Sequence, residues 1–212
     1  MTIHRLQIRR STLRAILKFA PSADIRYYLN GVLIEVSESR LFAVATTGTV
    51  LAAIREDDCE GCAPAQFIIP HHMLAKLKAS KLNPLVAVTY DDESHAITID
   101  DTINGQTFTG RAIDGKFPDW RRVMPTSATG EAADFNPELL AVFSDAAHEL
   151  DGTRTGKGLT YVHQNGPSAA LVQLLSHSCF RGVIMARAEP KTGRAVFPNV
   201  SEWVNADAAV AA

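Results

Sequence analysis

The chain has 212 residues, 46% hydrophobic, 21% charged and 7% aromatic, the profile of an ordinary globular protein and not of a disordered, collagen-like or disulfide-stapled one. Its 21 basic and 23 acidic side chains leave a formal charge of −2, which excludes a uniformly basic nucleic-acid coat but allows a local basic stripe. No run approaches the ~20 apolar residues of a membrane helix, charges interrupt every apolar stretch of MTIHRLQIRRSTLRAILKF where a signal peptide would have its core, and 3 cysteines are an odd count for a secreted disulfide framework, so the sequence reads as cytoplasmic.

A strand is expected at 3–8 and a helix at 11–19, with Ser11 as N-cap and Pro21 just past its end. Leu13, Ile16, Leu17 and Ala20 form the apolar stripe of that helix, while Arg10, Arg14 and Lys18 recur every four residues as a separate basic stripe. Three β-rich runs follow at 26–36, 40–46 and 50–55, separated by turns at 37–39 and at 47–49 around Gly48. A strand at 66–69 leads into a helix that starts at Pro70 and runs to about 81. Strands at 85–90, 95–99 and 107–113 come next, with turns at 91–94 and 104–105. The segment 125–133, small and polar, reads as a linker. Asn136 then caps a helix with Pro137 in its first turn, ending near 150. A loop at 151–158 precedes strands at 159–163, 169–174 and 180–187.

The order strand, helix, three strands therefore recurs three times at a period of roughly 60–70 residues, the third time without its first strand. This predicts an α+β chain of repeats with antiparallel sheets and helices on one face. The expected division is 1–125 as a domain of two repeats (1–63 and 64–125), 126–190 as a third repeat, and 191–212 as an Ala-rich tail. FTGRAIDGKFPDWRRVMP and FRGVIMARAEPKTGRAVFPNVSEWVN, at the same point of the second and third repeats, share F-x-G, then FP, then a tryptophan.

DIRYYLNGVLIEVSESRLFAVATTGTVLA, residues 24–52, resembles the middle domain of the bacterial DNA polymerase III beta subunit, the sliding clamp family, where RYYLNG and an alternating strand precede VATDGHRLA. DGKFPDWRRVMP, residues 114–125, resembles that domain's closing G-x-F/Y-P-D-Y-R-R-V-x-P. FNPELLAVF with FRGVIMARA resembles the last half-domain. The resemblance covers roughly residues 1–190 and accounts for three units, where the family's subunit has three domains of two units each.

The resemblance implies a DNA-clamp-like fold and a processivity factor: a ring around double-stranded DNA that tethers a DNA polymerase or other replication and repair proteins through a peptide groove. A clamp loader is a further implied partner, and no membrane is involved. Head-to-tail pairing of edges implies a homo-oligomer, a ring of four chains by unit counting. No catalysis, cofactor or metal is implied. Pore-facing cations let phosphates slide past; the residues expected at DNA are Arg10, Arg14, Lys18, Lys76, Lys78 and Lys81 on two acid-free helices, with Tyr27 and Tyr28 matching the family's tyrosine pair. The groove carries over to Arg26, Leu29, Thr46, Gly48 and Leu51 in the first repeat, Pro118, Arg122 and Val123 in the second, and Val183 and Met185 in the third.

Two features depart from the family pattern. Asp-Gly-His-Arg becomes Thr47-Gly48-Thr49-Val50, and M-P-M-R becomes Met185-Ala186-Arg187-Ala188. The third helix is acidic, with Glu138, Asp145 and Glu149 on its polar face, which opposes a phosphate-lined pore. That leaves open an alternative, a clamp-fold adaptor or decoy that binds such peptides without encircling DNA. Cys59-Glu60-Gly61-Cys62 with His71 and His72 reads as a hairpin loop, because neighbouring histidines on a helix diverge by about 100° and do not converge on one zinc ion. Ser176-His177-Ser178-Cys179 reads as a turn.

Overall fold

The structure, a computed structural model, describes residues 2–37, 40–57, 63–80, 84–102, 104–152 and 160–188. Strand β1 (Ile3–Arg9) leads into helix α1 (Arg10–Leu17), and a 3-10 turn at Tyr27–Leu29 precedes β2 (Gly31–Ser37), β3 (Arg40–Thr46) and β4 (Val50–Glu56). The second repeat contributes β5 (Ala65–Pro70), the short helix α2 (His71–Leu74), β6 (Leu85–Asp91), β7 (Ala96–Asp101) and β8 (Gln106–Arg111). A second 3-10 turn (Trp120–Val123) and helix α3 (Pro137–Asp151) precede β9 (Thr160–His163), β10 (Ala170–Leu174) and β11 (Phe180–Ile184).

These strands make two antiparallel sheets, ordered β1-β6-β7-β8 and β5-β2-β3-β4-β11-β10-β9. The leading strands are exchanged: β1 pairs with β6 of the second repeat and β5 with β2 of the first. The larger sheet continues across a junction where β11 pairs with β4, Leu51 opposite Val183 and Ala53 opposite Arg181.

Burial explains the sequence pattern strand by strand. In β1 alternate residues are buried, with Leu6 and Ile8 facing the helices. By contrast, β2 and β4 are apolar almost throughout because the larger sheet is covered on both faces. Val32, Ile34, Ala52 and Ile54 join the core beneath α1, whereas Leu33, Leu51 and Ala53 join an outer cluster capped by Phe117 and Trp120. Burying those two rings stabilises the outer cover by about 2–3 kcal/mol each. Gly182 lets α3 come close: a Cβ there would sit 2.3 Å from the Phe143 ring.

Helix α3 matches its reading closely, with the Asn136 side chain accepting from Glu138 N at 3.0 Å and Gly152 closing it in the left-handed conformation. Three readings differ. Helix α1 is capped at Arg9 with no side-chain bond, so Ser11 lies inside it and is not its N-cap. Tyr27 and Tyr28 lie in a 3-10 turn where a strand is expected. The second helix stops at Leu74, not near 81, so Lys76 and Lys78 lie beyond it and Lys81 falls outside the described residues. The arginines of α1 take the carbonyls that follow: Arg14 donates to Leu77 O and Arg10 to Lys78 O. A helix this short draws its stability from tertiary contacts, and these contacts favour the non-helical path. Among the described residues no helix is long and apolar enough to cross a membrane.

Candidate peptide groove and inner helix face

On the outer face, three stretches of chain far apart in sequence meet at the β4–β11 junction. They enclose a cavity of about 170 Å³. The first repeat supplies Arg26, Leu29, Thr46, Gly48 and Leu51; the second, Pro118 and Val123; the strands after α3, Val183 and Met185. Nine of the ten residues expected at a groove thus line one cavity. Arg122 does not line it: its side chain is exposed on the 3-10 turn, and the guanidinium next to it, that of Arg121, turns to Glu35.

The rim is held by hydrogen bonds. Arg26 grips Asp24 through Nε at 3.0 Å and Nη2 at 2.7 Å, and Nη2 also donates to Thr47 O at 2.8 Å. The hydrogen bonds from Arg26 hold the Asp24 carboxyl at a pKa of about 2. Gly48 has φ +91°, which makes the turn require glycine, and a Cβ there would also press on the Arg26 guanidinium at 2.7 Å. Thr46 Oγ1, which keeps the family pattern, donates to Val50 O at 2.7 Å, and the departure adds a contact of its own, Thr47 Oγ1 to Thr49 Oγ1 at 3.0 Å. Met185 N then donates to Thr49 O at 2.9 Å, tying the third repeat to this turn. Tyr28, expected at DNA, lines this cavity, as do Phe117 and Trp120, which sequence reasoning missed. The signal was present in the FPDW motif, whose aromatic residues cap an otherwise bare sheet.

The inner face differs from its expectation. Arg10 is only 1% exposed; Nη1 donates to Asp101 Oδ2 at 2.7 Å and Nη2 to Oδ1. This corrects its assignment to DNA, since a guanidinium sealed inside the core with a carboxylate cannot reach a phosphate. The hydrogen bonds from Arg10 bring the Asp101 pKa down to about 2. Arg14 reaches Glu149 of α3 through Nε at 2.7 Å and Nη2 at 2.8 Å, and Lys18 Nζ lies 3.2 Å from the same carboxylate. Burial pushes the Glu149 carboxyl up, but the hydrogen bonds from Arg14 and Lys18 outweigh it and hold it below the usual value. A cleft of about 560 Å³ runs along this seam between α1 and α3, with Asp145 and His148 on its wall. Tyr27 is 57% exposed and edge-on to the half-buried Tyr28 at 5.7 Å. Lys76 and Lys78 are exposed, Lys76 lying over the Phe108 ring at 5.5 Å. Among the described residues no group of three or more His, Cys, Asp or Glu is placed to hold a metal; Cys59 and Cys62 lie outside them.

The family model described as DNA polymerase III beta subunit, central domain, matches residues 7–119, more than half of the chain. The chain belongs to the DNA polymerase III beta subunit family. Among curated relatives, it is 34% identical over 127 residues to the beta sliding clamp of Vibrio cholerae, covering 58% of this chain and 33% of that one. It is 36% identical over 130 residues to the beta sliding clamp of Pseudomonas putida, covering 58% and 34%. The matched stretch thus spans about a third of the length of these beta clamps. The fold is that of solved sliding clamps. A Pseudomonas aeruginosa clamp superposes with a TM-score of 0.64 at 21% identity, over 87% of this chain and 66% of that one. The Thermotoga maritima beta subunit gives 0.66 at 16% identity, over 88% and 66%.

Proposed function

We propose that this beta-clamp family protein is a processivity factor that holds duplex DNA and tethers a DNA polymerase, or another replication or repair protein, through the outer groove. The observation that carries this reading is the convergence of Leu51, Val123, Val183 and Met185 on one apolar cavity across the β4–β11 junction. An apolar pocket ringed by a few fixed polar groups suits a short anchor peptide. For duplex contact the exposed candidates are Lys76, Lys78 and Tyr27, with Lys18 half engaged by Glu149. Among the described cations expected at DNA, Lys76 and Lys78 are exposed and meet no carboxylate, and so small a number suits topological holding better than tight binding. Contact between copies belongs at terminal strands of the two sheets, such as β8 and β9, whose outer edges pair with no strand among the described residues. A closed ring of four chains is the assembly that unit counting favours, with the cytoplasm as its place of action and a clamp loader as the factor that opens it.

Light scattering on a sizing column gives the native mass, and retention on nicked circular DNA is then compared with the same DNA linearised. A closed species that stays on circles and slides off linear ends is expected. A clean monomer at micromolar concentration, or equal retention on both DNAs, contradicts the ring.

A further inference from the structure

The β4–β11 junction carries a second cavity beside the groove. Leu51 and Val183, paired across the junction, line the first; Ala53 and Arg181, the next outer-face pair, line the second. The two pairs are two residues apart along each strand, roughly 7 Å. Trp120 stands between them and lines both cavities, and consecutive residues of the chain divide the work, Val123 walling the first and Met124 the second. The second cavity, about 310 Å³, has apolar walls from Phe42, Trp120, Met124 and Leu171.

Its charge has one sign. Arg55 and Arg181 line it and, among the described residues, no carboxylate does. Arg55 already meets Asp57 at 2.8 Å. Arg181 donates to the carbonyls of Ser178 at 2.9 Å and Phe180 at 2.7 Å, and it meets no carboxylate among the described residues. A guanidinium so oriented beside an apolar wall favours a carboxylate on a short apolar peptide.

We propose that the two cavities form one furrow, and that the partner peptide continues past Trp120 to place an apolar side chain against Leu171 and an Asp or Glu carboxylate on Arg181. This rests on the reading of the first cavity as a peptide groove. The competing occupant within this chain is FPNVSEW, residues 197–203, which lies outside the described residues and carries its own aromatics and Glu202.

The test is fluorescence anisotropy on the full chain with five labelled peptides. One is an apolar anchor built on Leu and Phe; the others extend it through two neutral spacers to Leu-Glu or Leu-Lys, with the extension made at either end. The Leu-Glu extension in one orientation is expected to bind about tenfold tighter than the anchor, which is about 1.4 kcal/mol, and the Leu-Lys extension is not. Arg181→Ala is expected to abolish that gain and Arg181→Lys to restore part of it, with thermal melting by circular dichroism confirming that each variant folds. An anchor that fails to bind the wild-type chain overturns the groove and the furrow together. An anchor that binds without gaining from the acidic extension overturns the furrow alone. A Trp203→Ala variant that binds the anchor and both extensions more tightly assigns the furrow to the chain's own C-terminal segment and overturns the partner assignment.

Discussion

The outer groove and the inner α1–α3 seam draw on the same distant parts of the chain, but to opposite effect. At the groove, β11 brings Val183 and Met185 to residues of the first repeat, and the result is an open apolar cavity with a hydrogen-bonded rim. At the seam, α3 brings Glu149 to Arg14 and Lys18, and the result is charge cancelled within the chain. The third repeat therefore completes one surface and neutralises another. A periodic stripe of cations on a helix is no guide to a nucleic-acid face until the residues opposite it are known.

The largest expected effect comes from breaking the buried pair at the base of the seam. Asp101→Ala leaves the Arg10 guanidinium charged and sealed in the core, and urea unfolding should register a loss of about 3–5 kcal/mol. Next is Gly182→Val, which forces atoms into the Phe143 ring; overpacking of this kind costs about 1–3 kcal/mol, and the melting temperature should fall accordingly. The pH dependence of stability follows from the same pair. The Asp101 pKa drops from 3.8 to about 2 on folding, so its contribution is present above pH 4 and disappears as the pH falls through 4 towards 2. That contribution is about 2 kcal/mol, and acid titration of wild type against Asp101→Asn measures it.

Smaller effects separate the two surfaces functionally. Val123→Asp places a charge on a half-exposed wall of the groove and should weaken an apolar anchor peptide about tenfold without changing the melting temperature by more than a degree or two. Glu149→Gln releases Arg14 and Lys18 from their shared carboxylate. Duplex DNA affinity at low salt should rise a few-fold, and the slope of log affinity against log salt should steepen by about one to two. An unchanged salt slope would mean that the seam does not face DNA at all.

Much of the fold was legible in the sequence because backbone pattern and burial agree there. The Asn136 cap, the alternation in β1 and the doubly apolar β2 and β4 each carry their own explanation locally. The lining of the outer cavity was legible through the family resemblance, which named nine of its residues, and not through any local pattern. What escaped was pairing at long range. Arg10 finds Asp101 and Arg14 finds Glu149 at separations of 91 and 135 residues; the acidic face of α3 singled out Glu149, but no local pattern announces either pairing. The shortened α2 has the same origin, because Arg10 and Arg14 reach across and take carbonyls that a longer helix would use.

The central claim is that the first cavity at the β4–β11 junction is where a partner peptide seats. Methyl NMR on the full chain, with Leu51, Val123, Val183 and Met185 and the Trp120 indole as reporters, tests it directly by titration with the apolar anchor peptide. Saturable shifts confined to these groups and their outer-face neighbours are the expected result. Shifts centred on the α1–α3 seam, or none at millimolar peptide, would contradict the account.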